Sequence, residues 1–192
     1  MITVIIGIVV VIVIVCAIAG IYNNMVTKRN RIDNAWQNID TQLQRRNDLI
    51  PNLVATVKGY ADFEQKTLTD VVEARAKATQ ITVDPSQLTP AALEQFQSAQ
   101  GELSQALGRL MVVAERYPDL KANQNFLELQ SQLEGTENRI SVARQRFNQA
   151  ASAYNAYILK FPSNLIAGMF GFDRATLFQA DESAQAAPKV EF

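Results

Sequence analysis

The chain has 192 residues, a formal net charge of −1, one cysteine and no histidine. Without histidine the protein lacks the commonest zinc ligand and the usual general base, and a single cysteine excludes an intramolecular disulfide. The near-zero net charge provides no long-range field that would attract nucleic acid.

The N-terminal 21 residues carry no charged side chain, and Lys28, Arg29 and Arg31 follow them. Twenty apolar residues in a helix extend about 30 Å, the thickness of the hydrocarbon core of a bilayer. We therefore predict a transmembrane anchor over residues 1–25. A cleaved signal peptide needs a positive start and a shorter apolar core. A lipoprotein site at Cys16 needs small residues before the cysteine, and these two alternatives are left open.

Basic residues near the ends of a span indicate its orientation, and here they lie only on the C-terminal side. This pattern predicts that the N-terminus lies outside and the large domain lies in the cytoplasm. The opposite orientation is the alternative, because a short uncharged N-terminus does not fix the orientation by itself. We expect Tyr22 at the headgroup level, where interfacial aromatic side chains lie.

Apolar residues recur at spacings of three and four through the rest of the chain, and strict alternation is absent, which predicts an all-α domain. A first helix continues from the anchor and ends near Gly59. A second helix begins near Phe63 and ends before the turn at residues 84–86. Thr89-Pro90 has the pattern of an N-cap followed by a first-turn proline, and it starts a third helix that ends at residues 117–119.

A fourth helix is predicted to begin within residues 119–125 and to carry a heptad repeat over residues 126–157. If it reaches Lys160, this helix is about 60 Å long. Because the links between the helices are short, we predict an elongated antiparallel bundle of about four helices over residues 26–162. Gly135 interrupts the heptad repeat and indicates either a break or the close approach of a neighbouring helix.

A short apolar C-terminal segment is predicted over residues 163–180. Its large apolar side chains, beside two glycines, include Leu165, Ile166, Phe170 and Phe172. Three interpretations are open: the segment caps the bundle, dips into the bilayer surface, or binds a partner. Residues 181–192 are rich in Ala and Gln and are predicted to form a flexible tail.

The first helix contains a proline where a helix would not favour one. Pro51 lacks an N–H, and its ring crowds the carbonyl of Asn47. We expect a kink or a new helix start, with Asp48 and Asn52 taking up the freed backbone groups. The functional interpretation is a hinge or docking corner, and the structural one is a kink that fits the bundle. The candidate interaction residues of this helix are Trp36, Arg45, Arg46, Asp48, Pro51 and Asn52.

The fourth helix repeats an aromatic–asparagine pair at a spacing of seven residues, first at Phe147-Asn148 and again at Tyr154-Asn155. An asparagine or a paired charge in a helical seam fixes the register of the helices. We expect these two asparagines to have that role. The candidate interaction residues of this helix are Gly135, Glu137, Asn138, Arg139, Arg144, Asn148, Tyr154 and Asn155.

Charged residues of the bundle are expected to pair with one another. Arg139 and Arg144 are the expected cations, and Asp48 and Glu137 are their expected partners. The sequence has no Gly-rich phosphate loop, nucleophile elbow or Cys-x-x-Cys pair, and a di-iron bundle would need histidine. We therefore predict no enzyme activity, no cofactor and no metal. An enzyme that uses the carboxylates of these helices is the contrary hypothesis.

Several of these motifs together resemble the LemA family. They are the apolar N-terminus, residues 22–23, 34–36, 45–54, 117–120, 125–126, 135–140, 143–144, 154–155, 161–162 and 171–172, and Phe192. The string Arg-Arg-x-Asp-Leu-Ile-Pro-Asn-Leu-Val at residues 45–54 is the most specific of them. Phe147-Asn148 stands where the family commonly has Tyr-Asn, so only a contact of a tyrosine hydroxyl differs.

The resemblance implies a single-span protein of the bacterial inner or plasma membrane, with a helical-bundle domain and no established enzyme activity. It also implies links to membrane organelles in some members and to membrane proteases in others. The predicted function is a membrane-anchored scaffold that self-associates into a homo-oligomer and binds other membrane proteins, with no nucleic acid or metal. The alternatives are a membrane-shaping or lipid-associating protein, and an accessory of a membrane protease or envelope stress process.

Overall fold

The computed structural model describes residues 1–60, 64–85 and 88–179, and the regular structure within them consists of six helices without strands. The predicted all-α class is therefore confirmed. The helices are α1 (Ile2–Lys58), α2 (Gln65–Gln80), α3 (Pro90–Ala114), α4 (Pro118–Lys121), α5 (Gln124–Ile158) and α6 (Ser163–Phe170). Two predictions, a second helix containing Phe63 and a flexible tail over residues 181–192, concern positions outside the described residues.

Helix α1 runs without interruption from the apolar segment into the bundle. It has 57 residues and is about 86 Å long at 1.5 Å per residue. In the described part of the chain, it is the one helix long and apolar enough to span a membrane. Residues 1–17 are exposed, and the first contacts with the bundle are made by Ile18 and Ile21. The bundle therefore begins directly at the end of the apolar segment.

Two long helix pairs form the bundle, because α1 packs along α5 and α2 packs along α3. The core lies in two clusters of buried apolar residues. The proximal cluster, near the apolar segment, includes Met25, Ile32, Trp36, Ile39, Phe96, Phe147, Tyr154, Ile158 and Ile166. The distal cluster includes Leu53, Val57, Leu68, Val71, Leu103, Leu110, Phe126 and Leu133. The proximal cluster joins the middle of α1 to the end of α5, and the distal cluster joins the end of α1 to the start of α5, so these helices are antiparallel.

The predicted helix boundaries are close to those observed. The Thr89 side chain accepts a hydrogen bond from the backbone N–H of Ala92 at 3.2 Å, so Thr89 caps α3 as its sequence context predicted. Helix α1 ends one residue before Gly59. Asn123 caps α5 by accepting from the N–H of Phe126 at 3.1 Å. The short helix α4 lies between α3 and α5, at the break that is predicted for residues 117–119.

Gly135 contradicts both alternatives drawn from the sequence. Helix α5 continues through this position, so there is no break. A Cβ atom built on Gly135 would have no neighbouring atom within 4 Å, so no helix approaches closely. Both interpretations are wrong for the described fold because Gly135 lies on the exposed side of α5.

We expect the substitution Gly135→Ala to raise the free energy of unfolding by up to about 1 kcal/mol, because alanine loses less backbone entropy in a helix. Gly108→Ala is the matched control, since Gly108 is also helical, exposed and free of neighbours within 4 Å. Chemical denaturation followed by circular dichroism measures both variants. A loss of stability at Gly135 with a gain at Gly108 would contradict this expectation.

Candidate functional site

A polar layer centred on Arg46 crosses the bundle between the two apolar clusters. Arg46 is only 1% exposed, and its Nη1 atom donates to Glu137 Oε1 at 2.7 Å and to Ser104 Oγ at 3.0 Å. Its Nη2 atom donates to the side-chain oxygen of Gln100. The Ser104 hydroxyl in turn donates to Glu137 Oε2 at 3.1 Å. One largely buried ion pair thus joins α1, α3 and α5.

The partner of Glu137 differs from the one expected. The charge pattern predicts Arg139 or Arg144 as the partner of this carboxylate, but Arg46 of α1 binds it. Arg139 lies on the exposed side of α5. The Arg144 guanidinium lies 4.8 Å from the centre of the Phe178 ring. The reason is geometric: a charge pattern along one helix does not reveal which neighbouring helix presents the opposite charge.

The proline in α1 provides an attachment point for α2. Helix α1 continues through Pro51, and because proline has no N–H, the carbonyl of Asn47 loses its helical donor. The Nε atom of Arg75, on α2, donates to that carbonyl at 3.0 Å. Asp48 and Asn52 were expected to take up the freed groups, but both side chains lie on the exposed surface. The freed acceptor therefore binds α2 to α1.

We expect Arg75→Ala to lower the free energy of unfolding by about 1.5–3 kcal/mol, the usual value of a charge-assisted hydrogen bond. The loss should be smaller in a Pro51→Ala background, because alanine restores the helical N–H that satisfies Asn47. A double-mutant cycle measured by chemical denaturation separates the two effects. Lys77→Ala, on the same helix and in an exposed ion pair, is the control. Equal losses for Arg75→Ala in both backgrounds would contradict the coupling.

An extended segment follows α6 and lies against α5. We call residues 172–179 the strap. Asn155 Nδ2 donates to the carbonyl of Ala175 at 2.9 Å, and its Oδ1 accepts from the N–H of Ala175 at 2.8 Å. Asn148 makes the same pair of hydrogen bonds with Phe178, at 3.0 and 2.9 Å. Ala175, the partner of Asn155, precedes Phe178, the partner of Asn148, so the strap runs antiparallel to α5.

The Tyr154 hydroxyl adds a third attachment by donating to the carbonyl of Asp173 at 3.0 Å. Burial raises the pKa of this hydroxyl above its usual value, with a further upward contribution from Asp173 and an opposing one from Arg29. A tyrosine hydroxyl is protonated at neutral pH, and the raised pKa extends its protonated range to higher pH. It therefore remains a donor to the strap.

The aromatic side chain of the strap is buried among three rings. Phe178 is 6% exposed and lies 6.0 Å from Trp36 in a nearly parallel arrangement. Its centroid is 5.3 Å from that of Phe147 and 6.5 Å from that of Phe96. We call Trp36, Phe96 and Phe147 the aromatic box. The box joins α1, α3 and α5 to the strap.

Sequence reasoning assigned Asn148 and Asn155 to helix register, whereas in the structure they hold the strap. The seven-residue repeat of aromatic–asparagine pairs was the signal, because it places both amides on one face of α5. Gln100, Ser104, Arg75, Phe96 and Phe178 were not selected from the sequence as candidate site residues. Nothing in their local spacing distinguishes them from ordinary core or surface residues of a helix.

An open cleft of about 970 Å³ lies between α3 and α5. Ile39, Leu43 and Arg46 of α1 contribute to its lining. Nearly half of its other lining residues carry amides or hydroxyls, among them Gln97, Gln100, Ser104, Gln105, Ser141, Gln145 and Asn148. The rest are apolar or charged, and the charged ones are Glu94, Glu102, Glu137 and Arg144. Strap residues 176–179 also line it, and Gln97 Nε2 donates to the carbonyl of Gln179 at 3.0 Å. Amides both donate and accept, so this lining suits an extended main chain.

Helix α6 presents an apolar surface beside the end of the apolar segment of α1. Ile166 and Ala167 are buried in the proximal cluster. The opposite side is exposed, and we call its residues Phe161, Leu165, Met169 and Phe170 the α6 apolar face. The Tyr22 ring lies 5.1 Å from Phe170 and 5.5 Å from Phe172. The α6 apolar face thus lies at the level where α1 leaves the apolar segment.

The structure does not bring the remaining candidates together into one site. Arg45, Asp48, Pro51, Asn52, Gly135, Asn138 and Arg139 are all exposed. The part of the chain that the structure describes has no group of three or more His, Cys, Asp or Glu side chains that could hold a metal ion. The clustered candidates are those around the cleft and the strap.

Comparison with known proteins gives a family and several relatives. A sequence model described as LemA family matches residues 35–192. Magnetosome protein MamQ 2 of Paramagnetospirillum magneticum is 31% identical over 179 residues, which covers 82% of this chain and 64% of the relative. Protein LemA of Metamycoplasma hominis is 28% identical over 163 residues, covering 85% and 71%. MamQ of Magnetospirillum gryphiswaldense is 28% identical over 178 residues, which covers 82% of this chain and 64% of that relative. This chain therefore spans less than two thirds of the length of the MamQ relatives.

Proposed function

The chain belongs to the LemA family, and from this premise we propose that it is a membrane-anchored helical scaffold that binds other proteins, including further copies of itself, without performing chemistry. The cleft between α3 and α5 carries this proposal. It is open, many amides and hydroxyls line it, and strap residues 176–179 of the same chain form part of its wall. Such a surface suits binding of an extended polypeptide better than catalysis.

The proposed organisation follows the course of α1. Residues 1–25 anchor the protein in the inner or plasma membrane, residues 26–162 form the bundle, and residues 163–180 connect the bundle to the membrane surface. We place the N-terminus outside and the bundle in the cytoplasm because Lys28, Arg29 and Arg31 follow the apolar segment. The uninterrupted α1 supports a bundle held rigidly against the membrane.

The contacts of Glu137 and Glu134 favour a binding role over an enzymatic one. Glu137 is engaged with Arg46 and Ser104. Glu134 is exposed, and it accepts a hydrogen bond from Gln130 at 3.0 Å. With no histidine in the chain, neither carboxylate has the partner that acid–base catalysis most often uses. The relatives named as magnetosome proteins and the one named LemA match most of this chain.

Site-specific photo-cross-linking in native membranes tests the scaffold. A photoreactive phenylalanine analogue replaces Gln105 or Ser141 in the cleft, and Thr69 on the exposed side of α2 serves as the control. We expect adducts of defined mass from the two cleft positions, containing this chain or another membrane protein identified by mass spectrometry. Equal yields from Thr69, or no adduct from the cleft positions, would contradict the proposal.

The α6 apolar face favours a second function, association with lipid. This face, which includes Leu165, Met169 and Phe170, is exposed beside Tyr22, at the membrane end of the bundle. In a Cys16→Ser background, a fluorophore at Met169→Cys should be quenched by quenchers attached to lipid tails, whereas one at Glu134→Cys should be quenched only from the aqueous phase. Aqueous quenching at both positions would contradict lipid contact.

A further inference from the structure

The strap is held in the way that a receptor holds a bound peptide. Asn148 and Asn155 each donate to and accept from the main chain of one strap residue. Tyr154 and Gln97 donate to two further strap carbonyls. These contacts with α5 and α3 recognise an extended main chain whatever its side chains are, which is how side-chain amides bind an added strand.

One side chain of the strap gives the contact its selectivity. Phe178 fills the aromatic box, and the Arg144 guanidinium lies over its ring. A segment that places a small residue at Asn155 and an aromatic residue three positions later, at Asn148, meets both requirements. Any second copy of this chain carries such a segment, namely Ala175 to Phe178.

The connection to the strap permits exchange between copies. Gly171 ends α6 with φ of +69°, a left-handed conformation that glycine leaves at little cost. The strap has no regular secondary structure, and its backbone bond to α6 runs from the N–H of Phe172 to the carbonyl of Ala167 at 3.0 Å. Two copies anchored in one membrane meet at a high effective concentration. An exchanged element makes the same contacts in the neighbouring copy as it makes within its own chain.

We propose that the site formed by Asn148, Asn155 and the aromatic box is a receptor for the strap of a second copy, so that self-association proceeds by exchange of residues 172–179. This inference rests on the proposed self-association and specifies its contact. The asparagine pair and the aromatic box of one copy bind the Ala175–Phe178 segment of the other. In a two-fold pair, each copy both gives and receives a strap.

Cross-linking between two full-length copies tests the exchange. Both copies carry Cys16→Ser; one also carries Gln97→Cys and a long affinity tag, and the other carries Gln179→Cys. Position 97 contacts residue 179 in the structure. A short bismaleimide is added after co-expression in membranes. We expect a cross-linked pair of copies of unequal mass, with a yield well above that of the control pair in which Glu128→Cys replaces Gln97→Cys.

Variants of the strap and of its receptor decide whether the product comes from exchange. Phe178→Ala in the copy that gives the strap should lower the yield about tenfold or more, the effect of losing about 1.4 kcal/mol or more of binding. Asn148→Ala with Asn155→Ala in the receiving copy should do the same. Thr69→Ala, at an exposed position of α2 outside the strap and its receptor, should leave the yield unchanged. An unchanged yield with Phe178→Ala would overturn the proposal.

A single chain that carries both Gln97→Cys and Gln179→Cys tests whether the strap stays with its own copy. If cross-linking closes this chain on itself and never joins two copies, the strap stays in its own cleft and the exchange is refuted. The mass of the intact protein in mild detergent keeps this failure apart from failure of the scaffold. An oligomer without a cross-link between copies refutes exchange alone, whereas a monomer refutes self-association as well.

Discussion

Replacing Glu137 with alanine is expected to lower the free energy of unfolding of the bundle by about 3–5 kcal/mol. The reason is the position of Arg46, whose side chain is 1% exposed, while Glu137 is 37% exposed. Without the carboxylate, a guanidinium remains buried with only the neutral partners Gln100 and Ser104. A buried charge without a counter-charge is among the few causes of such a large loss. Chemical denaturation of the full chain in detergent measures it.

Two matched variants test whether this loss comes from the buried charge of Arg46. Glu134→Ala, one turn earlier and exposed, should change the stability by no more than about 0.5 kcal/mol. Arg46→Met should cost much less than Glu137→Ala, because methionine fills similar space and the partly exposed Glu137 can be hydrated. If Glu137→Ala is as mild as Glu134→Ala, the ion pair does not hold α1, α3 and α5 together. If Glu137→Ala abolishes the function of the protein while its stability is unchanged, this result supports the hypothesis of an enzyme that uses carboxylates.

Phe178→Ala should release the strap and lower the free energy of unfolding by about 3–5 kcal/mol, the usual cost of truncating a buried phenylalanine. The loss includes the contacts with Trp36, Phe96 and Phe147. Trp36 is the only tryptophan of the chain, so its fluorescence reports on the aromatic box directly. We expect its emission to shift to longer wavelength as water reaches the ring.

Leu177→Ala is the control for this substitution, because Leu177 is the neighbouring strap residue and is exposed. It should shift neither the Trp36 emission nor the unfolding midpoint by a measurable amount. Limited proteolysis gives a second measurement, since a released strap is cut faster than one held by Asn148 and Asn155. An unchanged Trp36 emission in Phe178→Ala would show that the aromatic box does not depend on the strap.

The architecture of the bundle could be predicted from the sequence because it depends on local patterns. Apolar spacings of three and four place α1, α2, α3 and α5, while Thr89, Gly59 and the break at residues 117–119 set their ends. These signals come from residues close together in the chain. The prediction for Gly135 is wrong because the packing around this residue does not depend on local sequence. Whether a neighbouring helix approaches this glycine depends on how the helices are rotated against each other.

The candidate site depends on contacts between distant residues, and for this reason only part of it was predictable. Arg46, Glu137, Asn148 and Asn155 are candidates from the sequence, but the pairing of Arg46 with Glu137 and of the two asparagines with the strap is not predictable from it. Arg46 meets Glu137 across 91 positions of the chain and Gln100 across 54. The strap was harder still, since no periodic pattern accompanies an extended segment bound through its main chain. The one available signal was the repeated aromatic–asparagine pair on α5.

A membrane-anchored bundle that binds proteins, its own copies among them, should not occur as a single free copy. The mass of the intact chain, extracted in a mild detergent and measured without added cross-linker, decides this. We expect a stable assembly of two or more copies, and Phe178→Ala should shift it toward the single copy. A single copy at every protein concentration, with no other protein bound to it, would show that the bundle is not a scaffold.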